Sequence, residues 1–142
     1  MKTYITKSRD ETIKLGERLA KHLKNGDVIA LIGELGSGKT TLVKGIAKGL
    51  GVKNPRYVNS PSFVIIKEYQ GKIGLYHFDV FRLNSAGDLD STGYEEYFYG
   101  DGVCVIEWAD KIKKLLPKRY LEVKISIIEG SKREIELVHR VC

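Results

Sequence analysis

The apolar run DVIALI at 27–32 passes without a break into GELGSGKT at 33–40, and then into a helical pattern that reaches Leu50. A continuous apolar hexamer reads as a strand buried on both faces, the kind found in parallel sheets. GELGSGKT is a complete G-x-x-x-x-G-K-T phosphate loop in the strand–loop–helix context that such a loop requires. Together they restrict the chain to an α/β fold, a P-loop NTPase-like domain whose sheet is flanked by helices. Gly33, Gly36 and Gly38 let successive backbone N–H groups converge on phosphate oxygens. The following helix aims its positive N-terminus at the same anion. Glu34, Leu35, Gly36, Ser37, Gly38, Lys39, Thr40 and Thr41 are therefore the candidate nucleotide contacts. Lys39 supplies a charge for the β- and γ-phosphates, and the Thr40 hydroxyl lies where Mg²⁺ is held.

The rest of the chain must build a sheet around that strand. TYIT at 3–6 alternates like an edge strand. Ser8-Arg9-Asp10-Glu11 has the form of a capping box, and it opens a helix with Ile13, Leu19, Ala20 and Leu23 on one face. Asn25-Gly26 is the expected end of that helix. SFVIIKEY at 62–69 and IGLYHFDVF at 73–81 flank a short turn, which predicts a hairpin over 62–81 and hence a mixed sheet. Residues 86–100 suggest short helical turns carrying Tyr and Phe. GVCVIEW at 102–108 reads as a buried strand, and ADKIKKLL at 109–116 as a short helix. Two further strands predict a second hairpin over 120–141. No internal repeat or linker interrupts the 142 residues, so a single domain over 1–142 is expected.

A metal-bound triphosphate needs carboxylates near Mg²⁺. Two apolar runs end in acids, IGLYHFD at Asp79 and GVCVIE at Glu107. Glu107 is assigned to the metal together with Thr40. Asp79 is assigned to the attacking water or to a place behind the metal, and the two roles are exchangeable. Ser60 and Ser62 form a candidate switch-like loop whose hydroxyls reach towards the γ-phosphate, although a plain turn before a strand has the same form. Arg82 suits either a transferring phosphate or a neighbouring acid. His77 is expected to be a packed, hydrogen-bonded histidine, and Trp108 a core or cleft-wall residue.

Composition narrows the class further. The formal net charge of +6 favours nucleotides, nucleic acid or an acidic partner, but the Lys and Arg residues are spread along the chain. Two cysteines make no disulfide framework. The first residues carry no apolar signal core and no run approaches membrane-spanning length, so a cytoplasmic protein without membrane contact is expected. No N-K-x-D guanine reader occurs, and Asp90-Ser91-Thr92-Gly93 does not end an apolar strand, so ATP is the expected nucleotide. A small-molecule kinase is the alternative. It lacks a lid insertion, and its arginines (Arg56, Arg82, Arg119 and Arg133 among them) are isolated.

Five separated stretches carry a resemblance: GELGSGKTTLVKGI, VNSPSFVIIKEY, YHFDVFRL, LDSTGYEEYF and VIEWADK, in that order. Together they resemble the TsaE-type (YjeE-type) bacterial ATPases of tRNA threonylcarbamoyladenosine (t6A) biosynthesis, over about Leu15 to Leu116. The resemblance implies a small mixed α/β protein that binds ATP or ADP with Mg²⁺ and hydrolyses ATP weakly alone. It implies two partners, a TsaD-type threonylcarbamoyl transferase subunit and its inactive TsaB-type paralogue. The complex modifies adenosine 37 of tRNAs that read ANN codons, and tRNA is met through the complex. The ATPase resets or licenses that complex and does not perform the transfer. Carried onto this chain, the resemblance gives Lys39 to phosphate, Thr40 and Glu107 to magnesium, Asp79 to hydrolysis, and Ser60 and Ser62 to the switch-like loop. Lys39, Asp79 and Glu107 are thus the catalytic set. Ser8, Arg9 and Lys132 fall on positions near the adenine. Ser62 stands where Thr is common, and Phe81 where Tyr is frequent, which removes a phenol.

Overall fold

The computed structural model describes residues 1–59 and 65–141. Its elements run β1 (Lys2–Thr6), α1 (Arg9–Ala20), β2 (Val28–Gly33), α2 (Lys39–Gly49), β3 (Ile66–Tyr69), β4 (Leu75–Asp79), α3 (Tyr94–Phe98), β5 (Val103–Glu107), β6 (Arg119–Glu129) and β7 (Lys132–Val141). Short 3₁₀ segments cover Pro55–Tyr57, Ala86–Thr92 and Ala109–Leu115. The strands form one sheet in the order β1-β7-β6-β2-β5-β4-β3. β6, β2, β5 and β4 are mutually parallel; β7 and β3 run against them, and β1 pairs antiparallel with β7 and so runs with the central strands. The sheet is mixed, as both predicted hairpins require. Residues 62–64 of the first hairpin lie outside the described residues.

The parallel centre explains the apolar run of β2. Ile29 and Leu31 pack into the cluster under α1 and α2, with Leu42, Val43, Ile46, Val103 and Val105. Val28 and Ala30 face the opposite cluster, with Phe78, Leu89, Phe98, Ile106 and Ile112. A strand with a core on each side has no polar face to display.

α1 begins where expected. The Ser8 hydroxyl accepts from the Glu11 N–H at 3.1 Å, and a Glu11 carboxylate oxygen accepts from the Lys7 N–H at 3.0 Å. Its end differs: the helix stops at Ala20, and Asn25-Gly26 belongs to a separate turn. There the Asp27 carboxylate accepts from the Lys24 N–H at 2.9 Å, and the Asn25 side-chain oxygen accepts from the Gly102 N–H at 3.0 Å. Asn25 thus fastens the approach of β2 to that of β5 rather than capping a helix. The buried side of α1 also differs from the apolar stripe, comprising Thr12, Leu15, Gly16 and Ala20. A Cβ on Gly45 would lie 2.1 Å from the Ile13 carbonyl oxygen, and one on Gly16 would lie 2.6 Å from that of Leu42. Glycines therefore set the helix–helix distance, which brings the start of α1 alongside α2. The expected helix at 109–116 is a 3₁₀ segment kinked at Ile112.

Candidate functional site

The carboxyl ends of β2, β4 and β5 lie side by side, the place where open α/β sheets bind ligands. Gly33 ends β2 and opens the phosphate loop. Gly38 takes φ 106° at the N-cap of α2, a conformation for which a Cβ would be strained. Leu35 stands at the exposed tip, and Ser37 and Lys39 are buried at the base. The Lys39 ammonium spans the loop, donating to the Gly33 carbonyl at 2.7 Å and the Glu34 carbonyl at 2.8 Å. Its nitrogen also lies 4.1 Å from the centroid of the Trp108 ring. Burial pulls its pKa below the ordinary value of 10.5, against the raising fields of Glu107, Asp79, Asp110 and Glu34.

The two predicted acids come together. Asp79 and Glu107 are register partners on the parallel strands β4 and β5. Alternation places Glu107 with Val103 and Val105 on the α2 side, and Asp79 with His77 on the same side. The Thr40 hydroxyl lies 3.2 and 3.3 Å from the two Glu107 carboxylate oxygens, so the helix and the neighbouring strand each contribute an oxygen to one point. An Asp79 oxygen accepts from the Phe81 N–H at 2.9 Å, which orients that carboxylate at the strand end.

Three contacts at the site are not legible from the motifs. His77 is packed, as expected, but its Nε2 lies 2.5 Å from a Glu107 oxygen inside the protein. Its position two residues before Asp79 was the available signal, because i and i+2 share a strand face. Trp108 is a cleft-wall residue held at φ 62°, which is unusual for a bulky side chain. This turn follows Glu107 directly, and the ring covers Lys39 and packs against Phe81 at 4.7 Å. Arg133, from the start of β7, reaches the loop carbonyls of Ser37 and Gly36.

The other candidates lie further out. The Ser8 hydroxyl is used as the cap of α1. Arg9 lines a cleft of about 400 Å³ with Ile13, Lys44 and Arg56 on the side of α1 and α2. Thr41 is half-buried on the first turn of α2, and Arg82 is exposed beyond β4. Lys132 opens β7, and its carbonyl accepts from Arg133. Ser60 and Ser62 lie outside the described residues.

The oxygens that converge at Thr40 and Glu107 suit a hard divalent cation such as Mg²⁺, which takes few protein ligands and fills its shell with phosphate and water. Among the described residues there is no group of three or more His, Cys, Asp or Glu side chains arranged to hold a metal by themselves. Among those residues no helix is long and apolar enough to cross a membrane.

The chain is similar to known proteins in sequence and fold. The chain is 45% identical over 131 residues to the "tRNA threonylcarbamoyladenosine biosynthesis protein TsaE" of Bacillus subtilis, covering 92% of this chain and 80% of that one. A protein of the same name from Aquifex aeolicus is 38% identical over 141 residues, 99% of this chain and 98% of its own. The crystal structure of Bacillus subtilis YdiB superposes with a TM-score of 0.79 at 38% identity, covering 99% of this chain and 86% of that one. The family model described as "Threonylcarbamoyl adenosine biosynthesis protein TsaE" matches residues 6–135, and the chain belongs to that family.

Proposed function

We propose that this protein is the Mg²⁺-dependent, ATP-binding component of t6A biosynthesis, with a weak ATPase activity that its partners govern. The observation that carries the reading is the meeting of Thr40 and Glu107 beside a loop spanned by Lys39. Lys39 and the N-terminus of α2 bind the phosphates. Thr40 and Glu107 hold Mg²⁺, which supplies charge neutralisation at the phosphates when bound. His77 holds one Glu107 oxygen, so the carboxylate keeps a fixed orientation towards Thr40. Asp79, beside Glu107 and oriented by the Phe81 amide, is placed to hold the attacking water or take its proton. Trp108 shields the Lys39 ammonium from solvent, which strengthens its attraction for phosphate. Ser60 and Ser62 supply the switch-like loop, and Ser8, Arg9 and Lys132 lie towards the adenine. ATP and ADP are the nucleotides.

The names of the relatives place those proteins in threonylcarbamoyladenosine biosynthesis and support the same role here. In this reading the protein works in the cytoplasm with a TsaD-type transferase subunit and its TsaB-type paralogue. The complex, and not this chain, transfers the threonylcarbamoyl group to adenosine 37 of tRNAs reading ANN codons. The test combines the chain with both subunits, tRNA, ATP and threonylcarbamoyl-adenylate. Repeated turnover of modified tRNA is expected only with the wild-type chain and to fail with Glu107→Ala. Equal turnover without this protein refutes the role. A labelled phosphorylated metabolite from a cell extract points to a kinase instead.

A further inference from the structure

Arg133 makes a set of contacts to the phosphate loop that none of the roles given above accounts for. Its Nε donates to the Ser37 carbonyl at 2.8 Å and its Nη2 lies 3.4 Å from the Gly36 carbonyl. Its Nη1 donates to the Gly130 carbonyl at 2.5 Å and the Lys132 carbonyl at 3.2 Å. One planar guanidinium therefore ties the turn between β6 and β7 to the outer side of the phosphate loop. Only an arginine fork presents that many donors in one plane.

We infer that Arg133 is a positioning residue that sets the phosphate loop in its anion-binding shape before nucleotide arrives. The reason lies in the peptide plane. The carbonyl of residue 37 and the N–H of Gly38 point in opposite directions across one rigid amide. Drawing that carbonyl towards Arg133 turns the Gly38 N–H away from the hairpin, towards the concave side of the loop. Gly38, at φ 106°, accepts this orientation and begins α2. The loop is otherwise glycine-rich, and its freedom would have to be lost at the moment of binding. Lys39 holds the loop from inside through Gly33 and Glu34. Arg133 holds the Gly36 and Ser37 carbonyls from outside, and its charge adds to the field at the anion site. Part of the site's shape thus resides in a hairpin at 119–141, far along the chain from the motif.

This inference rests on the proposed ATP reading for its ligand, but not for its structural test. Hydrogen exchange would be followed in the nucleotide-free protein for wild type, Arg133→Ala and Arg133→Lys, with MgADP affinity measured by calorimetry. In Arg133→Ala, amides at 34–41 should exchange faster while β6 and β7 keep their protection. MgADP affinity should fall at least about tenfold, the scale of a lost charge-assisted bond. Arg133→Lys should restore only part of both, because a single ammonium cannot span four carbonyls. Unchanged exchange at 34–41 overturns the inference, as does faster exchange throughout 119–141, which would show a merely structural role. Unchanged MgADP affinity in a loosened loop also overturns it. A wild-type chain that binds no MgADP instead refutes the ATP reading and leaves the exchange result to judge Arg133.

Discussion

The two faces of the sheet end in different chemistry. On the α2 side, the ends of β4 and β5 carry His77, Asp79 and Glu107, joined to Thr40 and close to Lys39. On the opposite side the same strands carry Phe78 and Ile106, packed under Phe98, Leu89 and Ile112. Phe98 meets Phe78 at 5.3 Å and Tyr94 at 5.2 Å between ring centroids. Strand alternation alone separates the two sets. One face can hold a costly cluster of buried polar groups because the other is apolar and tightly filled. On the α2 side the polar groups are confined to the strand ends, since Leu75, Val103 and Val105 earlier on that face belong to the core.

That separation can be broken by substitution. Phe98→Ala should have the largest effect, costing about 3–5 kcal/mol of stability in urea unfolding, the usual range for a buried phenylalanine. At temperatures where the variant stays folded, its nucleotide affinity should match wild type; a large affinity loss would mean the two faces are not independent. Lys39→Ala should do the reverse. Nucleotide affinity should fall about 100-fold, in keeping with ~1.5–3 kcal/mol for hydrogen bonds to a charged group, with little change in the urea midpoint.

His77→Leu sharpens the comparison, because it places an apolar group on the polar face. Glu107 would then remain buried without its imidazole partner. The Mg²⁺ concentration needed for half-maximal nucleotide binding should rise about tenfold, the lower range for loss of a group behind a metal ligand. An unchanged Mg²⁺ requirement would remove His77 from the site. The smallest effect is in pH. In the proposed role the charged form of Lys39 binds phosphate, and its free pKa lies below 10.5 because of burial. Affinity should therefore decline with rising alkalinity earlier than for an ordinary lysine. A bound phosphate favours the ammonium, so binding should take up protons as the pH rises through the lowered free pKa. Calorimetry in buffers of different ionisation enthalpy measures this uptake, and its absence would argue that Lys39 does not meet the phosphate.

Much of this was legible along the chain. The strand–loop–helix around GELGSGKT, the capping box at Ser8, the two hairpins and the acids at Asp79 and Glu107 all follow from short-range pattern. The end of α1 was not legible. Asn25-Gly26 has the composition of a helix stop, yet its side chain is used 77 residues away, at Gly102. The α1–α2 contact was also hidden, since an apolar stripe does not announce that Gly16 and Gly45 govern the approach.

The sequence by itself determined the phosphate loop, the class of fold, and which residue types stand at the ends of β4 and β5. Those properties depend on neighbours within a few positions, where backbone sterics and side-chain period act directly. Only the tertiary structure decided the strand order, the His77–Glu107 bond, the cover of Trp108 over Lys39 and the hold of Arg133 on the loop. The three side-chain contacts each join groups 30 or more residues apart. Such pairs are chosen by how the sheet closes around β2, and local propensity carries no information about which distant carbonyl a guanidinium will meet.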